Sequence, residues 1–372
     1  MLPAVTGACF ACQTPHDLRA LQTVCRACGL PIRVDHALDA TTMPRAAVAG
    51  RTASMWRYRE VLPGADDPVT LVEGATPLLE VGPDVLVKDE ARNPTGSFKA
   101  RGMSAAVTMA RKLGAEALVA PSAGNAAGAL AAYGARAGLP VVVAMPEDTP
   151  RPFVEECRLY GAEVHLIPGT ISDSGRWLRE HGPRDAFDVS TLREPYRIEG
   201  KKTMLYEIVE ELGALPDVII YPTGGGTGLV GMWKALGELR ALGWIAADAA
   251  PPRFVSVQAA GCAPVVTAFE TGADKTVPWP DASTRAYGLR VPNPLGGFIC
   301  LRALRETGGT AIAVDEDAIA PATRALAAQS GVDVCPEGGA AFAALERLRA
   351  RGDVSDRDRV VLFNTGTGLK YR

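Results

Sequence analysis

The chain has only four histidines in 372 residues, and none of them (His16, His36, His165, His181) lies in a glycine-rich turn. That scarcity argues against a serine–histidine–aspartate hydrolase, whose base is an imidazole within reach of the nucleophile. Long apolar runs are missing as well, and no stretch approaches the roughly 20 residues that a membrane span requires. Neither sign of charge is in excess: 39 Lys and Arg face 42 Asp and Glu, for a net charge of −3. Such a balance excludes nucleic acid or a membrane surface as the main partner. The first residues, MLPAVTGACFACQTP, lack a basic segment followed by an apolar one. No secretory leader is therefore expected, and the cytoplasm is the expected compartment.

Apolar residues make up 47% and charged residues 22%, the composition of a soluble chain able to bury a full core. The length suggests two to three domains. Four of the eight cysteines form two Cys-x-x-Cys pairs, Cys9/Cys12 and Cys25/Cys28, with twelve residues between them. Two such knuckles place four thiolates around a tetrahedral ion, which suits a structural Zn²⁺. Disulfides are disfavoured in a reducing compartment. Cys157, Cys262, Cys300 and Cys335 sit singly among apolar neighbours and read as buried small hydrophobes. Residues 40–75 are irregular and rich in Pro and Arg, with Trp56 and Tyr58 as anchors.

From Leu78 onward, strand-length apolar runs such as Ala117–Ala120, Val218–Tyr221 and Val360–Phe363 alternate with segments of helical period. This alternation predicts an α/β fold of doubly wound parallel sheets with helices on both faces. Ligands of such sheets gather at the C-terminal ends of the strands, where the glycine-rich turns PSAGN, PTGGGTG and NTGTG fall. A fourth turn, Asn93-Pro-Thr-Gly-Ser97, opens a helix with Lys99 in its first turn. The positive end of a helix dipole favours the neutral amine, the form that attacks a carbonyl. Lys99 is therefore the candidate to hold an aldehyde cofactor as a Schiff base. An exposed, idle lysine is the competing reading.

Gly226-Thr-Gly228-Leu-Val-Gly231 matches G-x-G-x-x-G, but a dinucleotide site needs an acid at the end of the next strand. Gln258 followed by Ala-Ala-Gly stands there instead. Consecutive amides of Gly224–Gly228 at a helix N-terminus suit a single phosphate better. A lysine, a phosphate cradle and polar turns without an evident second base fit pyridoxal phosphate, whose own electronics do the hard chemistry. A nicotinamide oxidoreductase, and a catalytically silent zinc-ribbon binding protein, are the competing classes.

The segments NPTGSFKARG, PSAGNAAGA, PYRIEGKKT, PTGGGTG and NTGTGLKY, in this order, resemble the threonine synthase family of type II fold pyridoxal-phosphate enzymes over residues 70–372. The resemblance implies two doubly wound parallel-sheet domains of the tryptophan synthase β-like fold. Residues 41–98 with 190–372 would form a large cofactor-binding domain and 99–189 a smaller α/β domain, after a small N-terminal zinc ribbon in 1–40. It further implies that Lys99 forms the Schiff base and moves the Cα proton of the substrate. Asn125 would bond the cofactor's ring hydroxyl, Gly224, Gly225, Gly226, Thr227 and Gly228 its phosphate, and Thr365 its pyridine nitrogen. Ser122, Gly124 and Ala126 would hold the substrate's α-carboxylate and Arg197 its phosphate. The reaction implied is that of a carbon–oxygen lyase converting O-phosphohomoserine and water to threonine and phosphate, by a homodimer. Ala100, the GGGTG loop and Thr191-Leu192-Arg193 depart from the family's usual residues. A serine/threonine dehydratase, or a cysteate synthase acting on phosphoserine, is the alternative. Arg197 with Lys201 or Lys202 favours a phosphorylated amino acid.

Overall fold

Val218–Pro222 (VIIYP) and Val360–Asn364 (VVLFN) are buried at every position, a pattern suited to a strand covered on both faces. They lie side by side as parallel neighbours, Val218 opposite Val360 and Ile220 opposite Leu362. The structure, a computed structural model that describes residues 5–372, divides into two units. One comprises 1–74 with 93–203 and the other 75–92 with 204–372.

In chain order the elements are β1 (Val5–Cys9), β2 (Pro15–His16), β3 (Ile32–His36), the short α1 (Arg45–Val48), β4 (Leu78–Gly82), β5 (Val85–Asp89), α2 (Lys99–Lys112), β6 (Leu118–Pro121), α3 (Asn125–Ala137) and β7 (Val141–Pro146). Next come α4 (Arg151–Leu159), β8 (Glu163–Ile167), α5 (Ile171–His181), β9 (Phe187–Asp188), α6 (Tyr196–Leu212), β10 (Val218–Pro222), α7 (Thr227–Ala241), β11 (Arg253–Ala259) and α8 (Pro264–Glu270). The chain closes with α9 (Gly297–Glu306), β12 (Thr310–Val314), α10 (Glu316–Ser330), α11 (Pro336–Arg351) and β13 (Val360–Asn364).

The first unit carries a parallel sheet in the order β8-β7-β6-β9 and an antiparallel three-stranded ribbon, β2-β1-β3. The second carries a sheet in the order β12-β11-β10-β13-β5-β4, parallel except for the edge strand β4. Both sheets match the expected α/β architecture. The N-terminal cysteine-rich segment shares a core with the first unit. Cys9, Leu18, Ile32 and Val34 belong to the same apolar cluster as Met103, Leu130 and Tyr196. Residues 41–74 and 190–203 also group with this unit rather than with the second. Trp56 explains part of that: its indole N–H donates to Glu73 (2.7 Å) and Ser104 (2.9 Å), inside the first unit. No helix among the described residues is long and apolar enough to cross a membrane.

Two glycines let α2 and α6 approach. A Cβ on Gly200 would stand 2.0 Å from the Arg101 carbonyl oxygen, and one on Gly102 2.8 Å from Lys201 Cε. Gly200→Ala is therefore expected to lower stability by about 2–3 kcal/mol through overpacking. Gly237→Ala, on the exposed face of α7 with open space around it, should raise stability by about 0.5–1 kcal/mol. Denaturant unfolding of the two variants beside the parent checks both signs.

Candidate functional site

The Asn93–Ser97 turn forms as its composition predicts. Gly96 adopts φ 64° and its amide donates to the Asn93 carbonyl at 2.8 Å, while Asn93 Oδ1 accepts from the Gly74 amide at 3.0 Å. The turn delivers Lys99 as the first residue of α2, whose N-terminus has no side-chain cap. The Lys99 ammonium lies 3.8 Å from the centroid of the Phe98 ring, and Lys201 lies 4.7 Å from the same centroid. Such cation–π contacts offset part of the cost of holding charge away from water.

In the first unit's sheet, β6 pairs with β7 on one side and β9 on the other. The loops after β6 and β9 thus leave the same edge at a topological switch point. After β6 come Ser122, Gly124 and then α3, which starts at Asn125 with no side-chain cap. A Cβ on Gly124 would meet nothing nearer than Phe153 Cε1 at 4.0 Å, and φ is extended at −179°. Neither packing nor backbone requires glycine there, so its absent side chain keeps open space beside Ser122 and the amides of Asn125 and Ala126. A small anion such as a carboxylate fits that opening.

After β9 the chain climbs through Thr191 and Leu192 to Arg197 on α6. Arg197 is buried, and its Nη1 donates to the Val189 carbonyl at 2.9 Å and to Thr191 Oγ1 at 3.4 Å. Its Nε and Nη2 are buried without a hydrogen-bond partner. Glu194 caps α6 by accepting from the amides of Tyr196 (2.7 Å) and Arg197 (3.1 Å). Burial pushes the Glu194 carboxyl up to about 7, although Arg197, the two capping amides and Lys201 pull it down. Burial, Arg197 and Lys99 together hold the fully buried Lys201 amine well below its ordinary value, against the pull of Glu194. Lys202, one residue on, is committed elsewhere: its ammonium bonds Glu199 at 2.6 Å.

In the second unit, Gly224–Gly228 follow β10 and Thr365 follows β13. Because these strands are neighbours, the two loops leave the sheet side by side. Gly226 takes φ 79° and precedes the uncapped α7, and a Cβ on Gly224 would stand 2.1 Å from the Gly288 carbonyl oxygen. The loop that this packing fixes offers consecutive amides and a helix N-terminus, a donor set that fits a phosphate. Thr365 is buried, with its hydroxyl 3.7 Å from Cys335 Sγ. The preceding Asn364 ties that turn to Asp89 (2.8 Å) and to the Cys335 amide (3.1 Å). Gln258 donates to the Thr223 carbonyl and accepts from the amides of Val265 and Val266. Its amide is consumed in bracing the loop, which removes it as a ribose reader.

The four paired cysteines converge. Their sulfurs all lie within 4.8 Å of one another, with Cys9–Cys28 and Cys12–Cys28 at 3.5 Å and Cys12–Cys25 at 3.6 Å. These separations are far too long for disulfides. Thiolates about 2.3 Å from one tetrahedral zinc would stand roughly 3.8 Å apart. The amides of Ala11 and Ala27 point at Cys9 and Cys25 Sγ, each at 3.4 Å. The four single cysteines are buried, as expected, and form no disulfide.

The profile of a family described as "Pyridoxal-phosphate dependent enzyme" matches residues 69–366. The chain belongs to that family. Among the relatives of this pyridoxal-phosphate enzyme are the threonine synthases of Methanosarcina acetivorans and Methanocaldococcus jannaschii. Each is 33% identical over 97% of this chain, covering 91% and 92% of the relative. The threonine synthase of Synechocystis is 35% identical over 86% of this chain and 85% of its own length. Maize serine racemase shares the fold with a TM-score of 0.68 at 23% identity, over 86% of this chain and 94% of the racemase.

Sequence reasoning missed Glu194 and Phe98, and it did not separate Lys201 from Lys202. The spacing from Arg197 to Lys201, one helical turn, was the available signal. Raised from 4.5 to about 7, the Glu194 carboxyl stabilises the fold when protonated. That contribution is complete below about 4.5 and is lost as pH rises towards 7. Glu194→Gln should therefore flatten the fall in stability between pH 5 and 7, by up to about 1.4 kcal/mol per pH unit. Unfolding of holoenzyme and variant across that range measures it.

Proposed function

We propose that this pyridoxal-phosphate enzyme is a threonine synthase, converting O-phosphohomoserine and water to threonine and phosphate. The observation that carries the reading is the Nε/Nη2 edge of Arg197, buried without a protein partner on the unit that holds Lys99. Such an edge takes a phosphate in bidentate fashion. The 33–35% identity to several threonine synthases supports the same reading.

In this reading Lys99 would hold the cofactor's aldehyde, and its amine would move the substrate's Cα proton. Gly224–Gly228 would hold the cofactor's phosphate, Asn125 its ring hydroxyl and Thr365 its ring nitrogen. Bound there, the cofactor supplies the electron sink for the reaction. Ser122, Gly124 and Ala126 take the substrate's α-carboxylate. A neutral threonine at the ring nitrogen would leave that nitrogen unprotonated. Cys9, Cys12, Cys25 and Cys28 would hold Zn²⁺ with all four positions taken by thiolate, which would make its role structural.

Purified protein should show the visible absorbance of a lysine-bound cofactor, which Lys99→Ala abolishes together with turnover. O-phosphohomoserine should yield threonine and phosphate in equal amounts. Turnover of phosphoserine or threonine with that substrate inert would assign a dehydratase or cysteate synthase instead. Metal analysis should find one zinc per chain, and chelation should lower the Tm by about 5–10 °C. Metal-free protein of unchanged Tm would remove the zinc assignment.

A further inference from the structure

The first turn of α11 holds a buried acid with no part in the proposed reaction. Glu337 is 4% exposed and follows Pro336 at the start of that helix. The positive end of the helix dipole favours a carboxylate there. Its Oε1 accepts from two neutral donors, the Gly288 amide at 2.7 Å and the Tyr371 hydroxyl at 2.9 Å. Burial, and after it the Glu337 carboxylate, hold the Tyr371 phenol well above its ordinary value, so the hydroxyl keeps the proton it donates. Packing alone does not call for an acid, because burying a carboxylate costs more than two neutral donors return. An apolar side chain would fill the same place at less cost.

What flanks the acid gives it a purpose. Gly288 is wedged between Glu337 and the glycine-rich loop after β10. A Cβ on Gly288 would stand 2.8 Å from Glu337 Oε1, and a Cβ on Gly224 would stand 2.1 Å from the Gly288 carbonyl oxygen. The acid thus backs that loop through a single residue. On its other side the same turn of α11 seats Thr365. Cys335, the N-cap of α11, accepts from the Gly338 amide at 3.4 Å and lies 3.7 Å from the Thr365 hydroxyl. Its own amide donates to Asn364 Oδ1 at 3.1 Å, and a Cβ on Gly338 would stand 2.7 Å from that oxygen. Burial, and next the Glu337 carboxylate, push the Cys335 thiol up against the pull of the Gly338 amide and the Thr365 hydroxyl. The sulfur therefore meets Thr365 as a neutral thiol. Tyr371 closes the arrangement: it ends the turn Gly368–Tyr371 that follows Thr365, and its ring stacks on Tyr287, beside Gly288, with centroids 6.4 Å apart.

We propose that Glu337 is a positioning residue: one carboxylate oxygen draws together the turn behind the glycine-rich loop and the turn that follows Thr365, and so fixes the spacing of two grips on the cofactor. The function of those grips rests on the assignment of Gly224–Gly228 to the cofactor's phosphate and of Thr365 to its ring nitrogen. Two grips whose spacing is set beforehand bind one rigid ligand with less loss of ordering entropy.

The test follows pyridoxal phosphate in holoenzyme, through its affinity on dilution and through its visible circular dichroism, which reports how the bound ring is seated. Glu337→Gln keeps an oxygen acceptor and drops the charge; Tyr371→Phe removes one donor and keeps the stack on Tyr287. Glu337→Gln should weaken cofactor binding by about tenfold, as expected for the loss of charge-assisted hydrogen bonds. Tyr371→Phe should weaken it by about threefold, and both variants should alter the circular dichroism. Thr365→Val is the companion variant. Combined with Glu337→Gln it should weaken binding by less than the product of the two single effects, because the acid acts in part through Thr365. An acid needed only for folding would lower the Tm and leave cofactor affinity and circular dichroism as in the parent. That result overturns the proposal, and so do two single effects that simply multiply. If Thr365→Val weakens binding and Glu337→Gln does not, the site assignment stands and the brace falls. If Thr365→Val changes nothing, the Thr365 assignment falls and takes the two-grip brace with it.

Discussion

Positive charge held out of water at the start of α6 is the constraint around which the first unit is arranged. Each buried cation costs several kcal/mol of desolvation even after the protein relaxes. Three features of this chain offset it in part. Glu194 caps the helix and faces Arg197 and Lys201, the Val189 carbonyl takes one guanidinium donor, and the Phe98 ring faces two ammonium groups. Geometry makes the arrangement possible, since Gly102 and Gly200 remove the two side chains that would keep α2 and α6 apart. The sequence R-I-E-G-K-K thus reads in space as a cation, a cap-side turn, an acid facing the other way, a notch, and two lysines with opposite tasks.

That division of labour explains how the cysteine-rich segment is joined to the rest. His36, at the end of β3, donates or accepts across a 2.8 Å contact with Glu199, which also takes the Lys202 ammonium. Glu199 therefore belongs to the far face of α6, turned towards the ribbon, while Arg197 and Lys201 occupy the face turned towards α2. With Cys9, Ile32 and Val34 built into the same apolar cluster as Tyr196, the ribbon works as part of the wall supporting α6. A metal that folds the ribbon would also stabilise the helix that carries Arg197, a structural role reaching beyond the four thiolates.

Much of this was legible because the decisive signals are local. Cys-x-x-Cys pairs fix which sulfurs can meet. Asn-Pro-Thr-Gly-Ser dictates its own turn, and strands such as VIIYP and VVLFN declare two-sided burial. Less local features escaped. Helices α10 and α11 are rich in alanine and glycine, and their apolar stripe is too faint for periodicity to outline, yet Ala340, Ala341 and Leu345 pack in the main cluster of the second unit. Glu194 carries no pattern of its own, because a capping carboxylate three residues before Arg197 looks like any surface acid until burial is known. Lys201 and Lys202 are adjacent letters with the same chemistry, and only the helical rotation of about 100° between them sends one to the Phe98 ring and the other to Glu199. The packing of residues 41–74 against α2 was not legible for a related reason: its contacts, Trp56 to Ser104 among them, join positions distant in sequence.

The glycine pattern after β10 illustrates what structure adds to a motif. G-x-G-x-x-G describes the glycines but not what the neighbouring strand does with its last side chain. In a dinucleotide site the acid at the end of that strand reaches outward to a ribose. Here Gln258 turns inward, spending its N–H on Thr223 and its oxygen on the start of α8. The position that would read a ribose is thus used to stiffen the glycine-rich loop after β10. A loop braced from behind in this way suits a ligand that carries one phosphate. Its rigidity matters because the amides must already point at the anion before it arrives. A loop free to reorganise would lose in ordering entropy what its hydrogen bonds contribute.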